Sequence, residues 1–104
     1  IKNLRLSNDI VENHVKRNLR KNTFFSAKKH KLFINEIFFD QPYEVIFRSL
    51  SESIKMIGKK YYYSRGKKLD KIIDDIRCID TFKRTLGGCI IEKVRQTVIL
   101  SKES

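Results

Sequence analysis

Thr85-Leu-Gly-Gly-Cys-Ile-Ile-Glu-Lys-Val94 and Thr97-Val-Ile-Leu-Ser-Lys102 end the 104-residue chain with two β-rich runs separated only by Arg95 and Gln96. Short runs of β-branched residues bounded by turn positions favour extended chain. The pair therefore reads as an antiparallel hairpin, although its turn lacks an Asn-Gly type of signal. Gly87 and Gly88 would let the first strand bend or approach a neighbour closely.

Working back from this hairpin, the period becomes helical. Leu69, Ile72, Ile73, Ile76 and Ile79 define one helix, with Gly66 just before it. Tyr43, Ile46, Phe47, Leu50, Ile54 and Ile57 define another, for which Gly58 is a natural stop. Asp40 is a good cap for that helix, and Pro42 is tolerated in its first turn. A first helix, capped by Ser7 or Asn8, runs to about Asn22 on a thin stripe of Val11, Val15 and Leu19 with Leu4 in front. Residues 23–31 read as a polar, basic connection in which Phe24 and Phe25 anchor to the core. Residues 31–35 read as a short extended segment, and Glu36 to Phe39 as a single helical turn. The expected fold is one α+β domain over residues 1–104, mainly helical with about three helices and a small C-terminal antiparallel β-hairpin.

Twenty-three Lys and Arg against twelve Asp and Glu leave a formal net charge of +11. An excess of this size points to a polyanionic partner, most often nucleic acid. The charge is also segregated. Residues 16–31 hold Lys16, Arg17, Arg20, Lys21, Lys28, Lys29 and Lys31, with no carboxylate among them. No apolar run approaches the roughly 18 residues that span a bilayer, and no signal peptide is apparent, so no membrane partner is expected. Cys78 and Cys89 do not have metal-ligand spacing, and the default is a reduced, cytoplasmic protein. The start at Ile1 and the stop soon after a strand-like run suggest a piece of a longer protein.

The second and third helices are joined by Gly58-Lys-Lys-Tyr-Tyr-Tyr-Ser-Arg-Gly-Lys-Lys68, five cations around three tyrosines with no acid. A surface loop of this kind suits phosphate binding and base stacking; its structural alternative is a solvated loop with one or two tyrosines folded onto the core. The candidate RNA contacts are Lys59, Lys60, Tyr61, Tyr62, Arg65, Lys67 and Lys68, with Lys16, Arg17, Arg20 and Lys21 if the first helix lies alongside. Arg84, before the hairpin, is a further candidate. A catalytic or metal site is not apparent. His14 and His30 lack an orienting carboxylate nearby in sequence. Asp74 and Asp75 diverge on their helix and read as a solvated face, and Cys89 reads as a buried small hydrophobe.

The order Phe47-Arg48-Ser49-Leu50, Ile57-Gly58, Tyr62 or Tyr63 followed by Arg65, Leu69, and Thr85-Leu-Gly-Gly-Cys89 before a strand ending at Lys102-Glu103 resembles bacterial tRNA(Ile)-lysidine synthetase. The matching part is the region after the catalytic domain of that family, and it covers residues 32–103. Lys102-Glu103 departs from the expected Arg-Glu. The resemblance implies a parent enzyme, an ATP-dependent ligase whose ATP-pyrophosphatase domain uses ATP and Mg to attach lysine to the wobble cytidine of the tRNA. The Ser-Gly-Gly-x-Asp-Ser loop of that domain is absent from this sequence. The implied role here is tRNA binding beside the catalytic domain of the same polypeptide, with no catalytic residue and no cofactor in this segment. The alternative is a stand-alone basic RNA- or DNA-binding module.

Overall fold

The computed structural model describes residues 8–58, 66–86 and 88–103. Helix α1 spans Asn8–Asn22, with Asp9 in its first turn and Arg20 and Lys21 in its last. Each charge opposes the helix-dipole end beside it, which favours this helix despite its thin apolar stripe. Strands β1 (Thr23–Ser26) and β2 (Lys31–Ile34) follow, then a 3-10 turn at Glu36–Asp40. Helices α2 (Tyr43–Gly58) and α3 (Gly66–Cys78) precede β3 (Thr81–Leu86), β4 (Cys89–Val94) and β5 (Thr97–Lys102).

The α+β class and the three helices agree with the sequence reading, but the small C-terminal hairpin does not. The strands form one five-stranded antiparallel sheet in the order β1-β2-β5-β4-β3. The expected β4–β5 hairpin is its centre, extended on both sides. On one side, residues 85–94 are not a single bent strand: Leu86 pairs with Cys89, and Gly88 takes φ 77° at the reversal. The run from Thr81 thereby becomes a separate strand. On the other side, residues 23–31 are not a connection but the arm and tip of a β1–β2 hairpin, and β2 pairs with β5 through Leu32–Leu100 and Ile34–Val98. Phe24 and Phe25 do not anchor to the core; they are 68% and 47% exposed.

The helices α2 and α3 cover one face of the sheet. Ile46, Leu50, Ile54 and Ile57 of α2 and Leu69, Ile72, Ile73 and Ile76 of α3 share a core with Leu32, Ile34, Ile91, Val98 and Leu100. A smaller cluster of Val11, Val15 and Val45 joins α1 to α2. Asp40 ends the 3-10 turn rather than capping α2, and Pro42 supplies the carbonyl that accepts the first helical bond, from Ile46 N–H at 3.0 Å. Tyr43 and Ile79, at the two ends of the expected stripes, are exposed.

Two polar devices fix the elements to one another. Asn18 is buried in α1 and donates to the Phe38 carbonyl (3.3 Å) and the Ser49 hydroxyl (3.2 Å), while Asn22 donates to the Asn18 side-chain oxygen (2.7 Å). Asn35 in turn donates to Asn22 and accepts from Phe38 N–H, capping the 3-10 turn. At the other device Asp75, expected on a solvated face, is buried. It accepts a 2.7 Å hydrogen bond from Arg84 and lies 3.6 Å from Lys71. The Lys93 ammonium donates to the Ile76 carbonyl, closing the C-terminal end of α3.

Candidate nucleic-acid interface

The cation-rich residues 16–31 fold into the second half of α1 and the β1–β2 hairpin at the sheet edge. Arg17, Arg20 and Lys21 are exposed on α1, and Lys28, Lys29 and His30 are exposed at the hairpin tip. The strand β1, whose four residues span roughly 13 Å, lies between the two groups along the chain. His30 holds φ 54°, a left-handed conformation that closes the tip without a glycine. Lys16 differs from its neighbours: it lines the groove between α1 and α2 with Glu12, Arg48 and Glu52. There Arg48 is itself bound to Glu12 (3.1 Å) and Glu44 (2.8 Å).

The tip also meets the C-terminal end of α2. Phe25, His30, Met56, Ile57 and Lys102 line one cavity of about 460 Å³, so Gly58 leaves α2 beside the tip. Lys59, Lys60, Tyr61, Tyr62 and Arg65 lie outside the described residues. Lys67 and Lys68 are exposed in the first turn of α3. That turn points toward the same end of the sheet, because α3 finishes at the opposite end, where Ile76 meets Lys93 and Asp80 accepts from Arg95 N–H. Arg84 is engaged: besides its bond to Asp75, its guanidinium lies 5.4 Å from the centre of the Phe82 ring.

That opposite end holds a larger groove, of about 960 Å³, but its charge is mixed: Glu36, Asp40 and Asp80 face Arg77, Lys93 and Arg95. Balanced charge of this kind gives a polyanion no net attraction. The segment without a carboxylate, residues 16–31, instead places its positive charge along the hairpin edge and the second half of α1.

Other chemistry is sparse. Among the described residues no three His, Cys, Asp or Glu side chains are grouped to hold a metal ion, and no described helix is long and apolar enough to cross a membrane. Cys78 and Cys89 are both free thiols. Burial pushes the Cys89 thiol up to about 12, so it remains protonated and a poor nucleophile.

The sequence reading did not single out the hairpin tip or the exposed Phe24 as contacts. Thr-Phe-Phe-Ser and Lys-Leu-Phe-Ile do carry a strand signal, but Ala27-Lys-Lys-His30 contains none of the residues that mark a tight turn. Comparison with protein-family models, curated proteins and solved structures returns no match for this chain.

Proposed function

We propose that this domain binds RNA, gripping a tRNA for a lysidine-forming ligase whose ATP- and Mg-dependent catalytic domain belongs to the same cytoplasmic polypeptide. The observation that carries the RNA part is the acid-free run of residues 16–31, with seven Lys and Arg, folded into the second half of a helix and the edge hairpin that directly follows it. Both groups are exposed on consecutive elements, where one polyanionic backbone can engage them, and phosphate contacts dominate RNA affinity. The choice of tRNA, and of lysine transfer as the reaction served, rests on the ordered motifs from Phe47 to Glu103. Among the described residues, several of those motif positions have structural tasks. Arg48 and Ser49 fix α1 to α2, and Gly88 shapes the β3–β4 turn.

A titration of unmodified tRNA at several salt concentrations tests the reading. Affinity should fall about 10³-fold or more between 50 and 200 mM salt if six or more phosphates are neutralised. The variant R17A/R20A/K21A/K28A should weaken binding and make the logarithmic salt slope shallower by roughly 0.7–0.9 for each phosphate that is no longer neutralised. Binding and slope identical to the parent chain would remove this surface from consideration. A stand-alone module is distinguished by the surrounding reading frame, which should encode Ser-Gly-Gly-x-Asp-Ser upstream if the ligase reading is right.

A further inference from the structure

None of the described residues on the outer face of the sheet is buried. Strand alternation places Leu32, Ile34, Val98 and Leu100 toward the helices, so their neighbours Phe33 and Ile99 point the other way. Phe24 pairs with Phe33, and Phe33 with Ile99, which sets three apolar side chains in a row across β1, β2 and β5. A depression of about 350 Å³ at this edge is lined by Lys21, Phe24, Phe33 and Thr97, among others. Phe24 is 68% exposed, which leaves a large apolar ring in water with no described partner in the core.

We propose that this face is a stacking platform for unpaired RNA bases, with Phe24 and Phe33 as the two stacking rings and Lys21 holding a flanking phosphate. The inference rests on the RNA-binding reading above and specifies which part of an RNA the face takes. Charge complementarity selects the occupant. The aromatic pair sits beside the acid-free run, with Lys21 on one side and Lys31 on the same strand face as Phe33. Glu92, on the same face, is two strands removed from Phe33, opposite Ile99. A flat ring beside a cation matches a base joined to its phosphate, whereas base-paired RNA keeps its bases stacked and out of reach.

Binding of the full chain to single-stranded oligouridine and to a blunt RNA hairpin duplex tests this. F24A should weaken single-strand binding roughly 5- to 150-fold, the loss of one stacked base, and leave duplex binding unchanged. F24W should restore it, and F25A, on the opposite face of β1, should leave it intact. F33L, which keeps an apolar side chain against the sheet, should lose affinity in the same direction as F24A. If F24A and F33L bind the single strand as tightly as the parent chain while R17A/R20A/K21A/K28A loses RNA, the platform is wrong and the RNA reading survives. If the parent chain binds neither RNA at low salt, both fall. If it instead self-associates and F24A restores the monomer in sedimentation, the face is a protein interface and the platform is overturned.

Discussion

At the level of single residues, Asp75 shows how a charge legible in the sequence acquires its meaning from a distant partner. The hydrogen bond from Arg84 holds its carboxyl below the ordinary 3.8; burial opposes this, and the Lys71 charge assists it. A carboxylate with a depressed folded-state pKa stabilises the fold above its unfolded value, near 3.9, and loses that contribution as pH falls through the folded value. D75N should therefore lower the Tm at pH 7 and show a shallower further loss between about pH 5 and pH 2 than the parent chain. Parallel acid-side curves for the two proteins would show that this pair does not govern acid stability. The same pairing reduces what Arg84 offers an RNA, because its guanidinium already serves Asp75 and the Phe82 ring. Helical spacing shows that Asp74 and Asp75 point apart. It does not show which of them meets β3.

Among the elements, the three helices were legible because each carries its own apolar period and stop signals. The exception is informative. Asn18 lies in the buried stripe of α1 beside Val11 and Val15, where a polar residue breaks the period. Its place is explained by the Phe38 carbonyl and the Ser49 hydroxyl, twenty and thirty-one residues away. N18A removes a donor from both and leaves a buried carbonyl without its side-chain partner, so it should cost about 1–3 kcal/mol in denaturant unfolding with little change in slope. A cost within a few tenths would mean that the asparagine relay does not tie α1 to α2. The β1–β2 hairpin was the least legible element. Its strands are four residues each, its tip has no glycine, and its exposed phenylalanines read as core.

Across the molecule as a whole, the sheet is closed non-locally. The central strand β5 pairs on one side with β4, its neighbour in sequence, and on the other with β2, from the first third of the chain, through pairs such as Leu32–Leu100. A chain beginning at residue 36 would lose Leu32 and Ile34 from the core, expose the β5 edge, and leave α2 without α1. That truncation should fail to show a cooperative unfolding transition, whereas one that removes only residues 1–7 should retain it. A cooperative transition in the shorter piece would show that the C-terminal meander and its helices are self-sufficient. The basic charge is divided on the same scale: the segment that forms the hairpin edge contains no carboxylate, while the groove at the opposite end is balanced.

Local signals in the sequence were enough for the α+β class, the three helices, the β4–β5 hairpin and the excess of positive charge, because periodicity, stop residues and composition act over short stretches of chain. That this hairpin is the middle of a five-stranded sheet emerges only in three dimensions, since pairing between distant strands leaves no local periodicity to read. The outward turn of Phe24 and the inward engagement of Arg84 are of the same kind. Which face of a strand is buried depends on where the helices land, and that is fixed by the whole core at once.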